Sequence, residues 1–250
     1  MKIRNKKIKI IDFLILIFVF GLFFMCFQIY KDYHDVHTAQ KKYNEIKSDC
    51  VSDHTDKTTG KHIREINWNK LEKKNENCIA WITIPGTVVD YPIVRTNTYN
   101  YYLIHDINND YSQYGTLFFD CRLYKRTLKS KNLIIYGHNM GHYTDVMFSS
   151  LMNYRDIKYA KKHKRIYLYT KDSNEPFVYR IISIREVNKS SDAYRVNFKK
   201  KEFFNWKSVL KEKSIFNVQD TDIKDVKQIL TLSTCTYDSN RLVLHCAREN

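Results

Sequence analysis

The sequence has 250 residues, with 42 Lys and Arg against 27 Asp and Glu, a net charge of +15. A hydrophobic fraction of 43% and an aromatic fraction of 14%, with 19 tyrosines, exclude a wholly disordered chain, because rings of that size supply burial in quantity. Only 6 glycines and 3 prolines occur, which excludes a collagenous or linker-like chain, and neither G-x-x-x-x-G-K nor G-x-G-x-x-G is present, so neither familiar nucleotide cradle is available.

From the amino terminus, residues 1–9 form a basic arm with Lys2, Arg4, Lys6, Lys7 and Lys9 and no acidic residue. Residues 10–30 follow as an apolar run broken only by Asp12 and Gln28. About 21 residues at ~1.5 Å each span ~30 Å, the thickness of a bilayer core. The run has no polar face, which a helix at the surface of a globular core needs. A cleavable signal peptide is the competing reading, but no small-x-small site follows; the stretch from Met25 to Val36 is bulky. An uncleaved anchor is expected, with its amino terminus in the cytoplasm by the positive-inside rule and the rest of the chain outside the cell. Without the basic arm the chain keeps 37 Lys and Arg against 27 Asp and Glu, a net +10 that is spread and not blocked. For an exported domain this favours anionic lipid headgroups or wall polymers over nucleic acid, or simply a solvated surface.

Tyr33, Val36, Ala39, Tyr43 and Ile46 recur at three- and four-residue steps and predict a helical stalk; Asp49 to His62 is polar and predicts a linker, so that residues 31–62 join the anchor to a folded domain over 63–250. Asn67 is placed to cap a short helix running to about Lys74. Eight β-branched and aromatic runs then follow: Ile79 to Ile84, Val88 to Val94, Thr116 to Asp120, Asn132 to Tyr136, Arg165 to Thr170, Phe177 to Val187, Gln228 to Cys235 and Leu242 to Ala247. Their number and spacing predict a mainly antiparallel sheet closed into a barrel. Helical patches are expected at Thr144 to Asn153 and at Lys199 to Lys213, the latter with Phe203, Trp206 and Leu210 on neighbouring turns.

Six cysteines stand at Cys26, Cys50, Cys78, Cys121, Cys235 and Cys246 with no C-x-x-C spacing, which favours free thiols over a disulfide framework or a zinc site. Cys235 is distinctive because it ends a strand and is followed by the turn residues Asp238, Ser239 and Asn240, so that an antiparallel next strand opening at Arg241 is expected to return this residue close to the thiol. A thiol needs nearby positive charge or a base to become a nucleophile at neutral pH, and Arg241 offers the charge. The bland alternative is a small buried hydrophobe. His138 likewise leaves a strand end, after Gly137, where it can exchange protons. His138 and His142 have helical metal spacing, but Gly137 and Gly141 indicate a loop and no glutamate follows His138; no metal and no cofactor are expected. His245 and Cys246 adjoin in one strand and point to opposite faces, so they do not form a base and nucleophile pair. Cys78, Cys121 and His105 are read as structural.

The run Thr231-Leu-Ser-Thr-Cys235 with Arg241 downstream and Tyr136-Gly-His138-Asn-Met upstream resembles the signature of sortases, the cysteine transpeptidases of Gram-positive surfaces. The likeness extends from about Ile66 to the end. Trp81-Ile-Thr-Ile-Pro-Gly-Thr-Val-Val-Asp90, Gly115-Thr-Leu-Phe-Phe-Asp120, Met147-Phe-Ser-Ser-Leu151 and a helical insert before the cysteine strand are similar to class B. The resemblance implies a mainly β fold, an eight-stranded closed barrel with amino-terminal helices. It implies that Cys235 attacks the carbonyl after threonine in a C-terminal sorting pentapeptide of a surface protein, and that the thioacyl enzyme passes the acyl group to a peptidoglycan amine. His138 would be the general acid and base, Arg241 would stabilise the oxyanion, and Ser233 and Thr234 would line the groove. A class B motif of the Asn-Pro-x-Thr-Asn or Ser/Pro-Pro-x-Thr-Gly type is implied. The short Cys235 to Arg241 loop and the second thiol, Cys246, depart from the pattern. Two alternatives stand beside this reading: an anchored cysteine protease that gives the acyl group to water, and a non-catalytic wall-binding module.

Overall fold

The computed structural model describes residues 2–55, 60, 62–141, 144–199, 201–218 and 222–249. The chain divides into two compact units, residues 1–42 and residues 43–250. Helix α1 (Lys2–Cys50) supplies the whole of the described first unit. Its apolar side chains, Phe13, Leu16, Phe20 and Phe23 among them, are exposed, and the helix is long and apolar enough to cross a membrane.

The second unit holds a closed eight-stranded barrel built from β3 (Cys78–Thr83), β4 (Asp90–Val94), β5 (Leu117–Phe119), β6 (Asn132–Tyr136), β7 (Arg165–Thr170), β8 (Phe177–Val187), β9 (Ile229–Cys235) and β10 (Arg241–Arg248). Around the barrel the order is β10, β8, β7, β3, β4, β5, β6, β9, with β9 pairing back to β10. All neighbours are antiparallel except β4 with β5 and β6 with β9, which are parallel. β5, β6, β9 and β10 are buried on both faces almost throughout, whereas β7 alternates buried and more open positions, and Trp81, Ile82, Ile93, Leu117, Leu230, Leu232 and Leu244 are fully buried. Each such side chain contributes about 1.5–3 kcal/mol relative to exposure. Trp81 keeps its indole N–H satisfied by donating to Asp90 Oδ1 at 2.6 Å.

Short elements precede the barrel. Asn67 caps α2 (Trp68–Lys74), its side chain accepting from the Lys70 N–H at 3.0 Å, as its position before the apolar pattern predicts. The segment expected to be a polar linker instead contains β1 (Val51–Thr55) and β2 (His62–Ile66), paired antiparallel. Polar composition suits this ribbon because its charges are matched. Arg64 grips both oxygens of Asp53 at 2.8 and 2.9 Å and reaches Asp90 of the barrel at 2.8 Å. Asp90 also meets Lys47 at 2.6 Å. The helical patch expected from Thr144 begins later, as a 3-10 turn at Ser149–Arg155 followed by α3 (Ile157–Lys162). Met147 holds a left-handed backbone, φ 57°, and bridges to Asn139, which keeps the preceding residues out of a helix.

Between β8 and β9 lies the helical insert: a 3-10 turn at Asp192–Tyr194 and then α4 (Glu202–Glu212). Phe203, Trp206 and Leu210 pack on Ile182, Ile229 and Ala247 of the sheet. Lys207, also buried, donates to the carbonyls of Ile223 and Val226 and so fixes the segment entering β9.

Candidate active site

Three neighbouring strands present one face to the insert. In a β-ladder, paired residues share a face and so do residues two apart. The pairs Tyr136↔Ser233 and Cys235↔Arg241 therefore put Tyr136, Ser233, Cys235, Arg241 and Val243 on the same side. β6 and β9 run parallel, so their carboxyl ends emerge together. Two residues beyond the last pair, Tyr136↔Ser233, stand His138, just past the end of β6, and Cys235, the last residue of β9. The ladder continues past the strand ends, with Gly137 N–H donating to Ser233 O at 3.2 Å and Thr234 Oγ1 donating to Gly137 O at 2.9 Å. Asn139 closes the join, its Nδ2 donating to Cys235 O at 2.9 Å while its Oδ1 accepts from Gly141 N–H at 3.0 Å.

Gly137 permits this approach because a Cβ there would stand 2.4 Å from Leu117 Cδ2 and 2.7 Å from Phe148 Cδ2. His138 Nε2 lies 2.7 Å from the carbonyl of Leu103, which only accepts, so Nε2 carries the proton. Nδ1 is then the nitrogen able to exchange one. Arg241 donates through Nη1 to Ser239 O at 3.3 Å and Asn240 O at 2.9 Å; neither bond uses Nε or Nη2. The turn between Cys235 and Arg241 is held by Thr236 N–H to Asn240 O at 3.0 Å and by a left-handed Ser239, φ 67°. Hydrogen bonds from Thr236 and Asn240 hold Asp238 below the usual carboxylate range. Among the described residues no hydrogen bond joins the Cys235 thiol to His138 or Arg241; what they share is one edge of one sheet face.

Ser233 and Thr234 divide their work. Ser233 is buried on the Cys235 face, its Oγ 2.9 Å from Tyr194 Oη of the insert, whereas Thr234 is buried facing the other way and ties β9 to Gly137. Burial pushes the Tyr194 phenol up, hydrogen bonding from Ser233 and the Arg241 charge oppose that rise, and Cys235 adds to it, so this phenol lies within electrostatic reach of both. Its carbonyl accepts from Arg122 Nη2 at 3.0 Å, and the same nitrogen meets buried Asp120 at 2.7 Å, where Tyr136 Oη also donates at 2.8 Å. Asn139, Tyr194 and the Leu103 carbonyl were not legible in the sequence. The partners of His138 and Cys235 here are 35 and 96 residues away, with no local pattern to signal them.

The other thiols and imidazoles have different surroundings. All six cysteines are free. Burial pushes the Cys78 thiol up to about 12, and raises Cys246 and Cys50 as well, so these remain protonated. His245, fully buried near Arg185, is pushed down to about 3 by burial and stays neutral. His105 stacks on Tyr101 and meets its carbonyl at 2.8 Å. His142 lies outside the described residues; among those described, no group of three or more His, Cys, Asp or Glu converges as a metal would require.

A family model described as Sortase domain matches residues 82–249. Sortase B of Listeria monocytogenes is 27% identical over 252 residues, covering 98% of this chain and 97% of the relative. Sortase B of Staphylococcus aureus is 29% identical over 175 residues, covering 70% of this chain and 69% of the relative. The crystal structure of Staphylococcus aureus sortase B superposes with a TM-score of 0.68 at 25% identity, covering 87% of this chain and 98% of that one.

Proposed function

The chain belongs to the sortase family of cysteine transpeptidases, with class B relatives, and from that premise we propose that it cleaves a C-terminal sorting signal after threonine and transfers the surface protein to a peptidoglycan amine. What supports the reading is the common sheet edge formed by three adjacent strands, with His138 two residues past the end of β6, Cys235 ending β9 and Arg241 opening β10. Cys235 gives its thiol proton to His138 Nδ1, and the thiolate so formed attacks the threonine carbonyl carbon while the carbonyl electron pair moves onto oxygen. Arg241, whose bonds to its own turn use Nη1 and leave Nε and Nη2 out, stabilises that oxyanion. Collapse of the intermediate expels the leaving amine, which takes a proton from His138 Nδ1, and a thioester on Cys235 results. The incoming amine then attacks the thioester carbonyl and gives its proton to Nδ1, and cysteine departs as thiolate. The thiolate then takes the Nδ1 proton back, and charges and protons return to their starting places. Ser233 lines the groove together with Tyr194, and Thr234 contributes by holding the strand that carries Cys235.

A threonine-containing sorting peptide supplied with and without an added amine tests transfer against hydrolysis. The expected product with amine is the new amide, in amine-dependent yield; free acid alone in both reactions would make the protein an anchored protease. The helix over residues 10–30 is the proposed single-pass anchor, with the basic arm cytoplasmic and the catalytic domain outside. Protease added to intact protoplasts is expected to remove the catalytic domain and spare the amino terminus, and protection of the whole chain would reject that topology.

A further inference from the structure

His138 owes its ring orientation to a backbone carbonyl, that of Leu103, and a carbonyl positions a ring only as well as its own loop is held. The loop from Tyr101 to Thr116 turns at Gly115, whose left-handed backbone, φ 59°, presses against the carbonyls it faces. A Cβ there would lie 2.3 Å from Tyr102 O and 2.8 Å from Leu103 O. Thr116 N–H donates to Tyr102 O at 2.9 Å. The Gly115-Thr116 step is therefore the support on which the Leu103 carbonyl rests.

That step is gripped from the end of α1. Tyr43, buried within the second unit, donates its phenol proton to Gly115 O at 2.8 Å, and its oxygen lies 2.9 Å from Thr116 Oγ1. The ring is itself fixed, edge-to-face on Tyr91 of β4 with centroids 5.5 Å apart. Burial pushes the phenol up from its ordinary range, so it remains a donor. We propose that Tyr43 is a positioning residue for His138, acting through Gly115-Thr116 and the Leu103 carbonyl to keep the imidazole in its Nε2–H tautomer and aim Nδ1 at the reacting atoms. The proposal rests on the role given above to His138. A tyrosine used only to dock α1 could have ended on any carbonyl. This one ends on the glycine packed against the carbonyl that holds the histidine. The opposite side of the loop is held separately, by Asn75 Nδ2 donating to Tyr102 Oη and Ile107 O, both at 2.9 Å, so loss of the Tyr43 hydroxyl loosens the loop without releasing it.

The test is Tyr43→Phe in the full chain in detergent micelles, read by imidazole nitrogen spectra of His138, assigned with His138→Gln, and by kcat and KM for a threonine-containing sorting peptide. The expected result is a His138 signal moved from the pure Nε2–H tautomer toward a mixture. A misaimed acid and base should also cost about 3–10-fold in kcat, with KM unchanged within about twofold. Thr116→Val, which removes the hydroxyl paired with Tyr43, is expected to act in the same direction, and it decides by the same readouts should Tyr43→Phe not fold. An unaltered His138 signal with unaltered kcat overturns the proposal, even where the melting temperature falls, because that is the signature of a docking residue alone. His138→Ala separates the two readings: full activity in it would refute the histidine's catalytic role, whereas an inactive His138→Ala beside a normal Tyr43→Phe would refute only the relay.

Discussion

Cys235→Ala is expected to reduce transfer of a threonine-containing peptide by at least about 10⁴-fold, the scale at which enzymes lose turnover when the nucleophile of a coupled set is removed. The expectation follows from the setting of this thiol and not from its being a cysteine. Cys78 and Cys246 also occupy barrel strands, but both are buried and their thiols are raised by that burial. Cys235 is partly exposed at a strand end, directly opposite Arg241. Cys246→Ala removes a sulfur from a closed core and should show its effect in unfolding, by about 1–2 kcal/mol for a small core truncation, with turnover of the folded protein near normal. Turnover surviving in Cys235→Ala and lost in folded Cys246→Ala would reverse the assignment.

Arg241→Lys is expected to cost on the order of 10² in turnover, the scale of one lost oxyanion donor, with folding intact and iodoacetamide still able to alkylate Cys235. Two roles predict different outcomes here. A charge that only favoured the thiolate would survive the change, since lysine carries the same charge on a compact, flexible head. A planar fork with one nitrogen committed to Ser239 O and Asn240 O, and the oxyanion held by its other donors, would not survive it, because a compact ammonium does not reproduce the fixed spacing of those donors. Near-normal turnover in Arg241→Lys would leave arginine an electrostatic neighbour only.

Much of this arrangement is legible in the chain. β6, β7 and β8 begin and end where their β-branched and aromatic runs do, because turn residues bound them. Asn67 announces α2, and Phe203, Trp206 and Leu210 announce the face that α4 buries. Cys235, His138 and Arg241 stand out because each sits at the end of a strand. The illegible parts are those decided by distant residues. The parallel pairing of β6 with β9, which brings the carboxyl ends of the two strands out together, joins segments about a hundred residues apart and leaves no local trace. The ribbon of β1 and β2 reads as a linker because its stability comes from Arg64 meeting Asp53 and Asp90 and not from apolar alternation. The contacts that orient the site, from Leu103 O, Asn139 and Tyr194, are backbone or long-range bonds that residue types do not encode.

Reaction through a covalent acyl enzyme on Cys235 is checked by intact-mass measurement of the full chain mixed with a threonine-containing sorting peptide. Without amine, the expected result is a mass increase equal to the acyl half of the peptide, mapped to the fragment containing Cys235, labile to hydroxylamine, and discharged when a peptidoglycan-type amine is added. Cleavage of the peptide with no such adduct at any time, or an adduct mapped to Cys121 or Cys246, would contradict it.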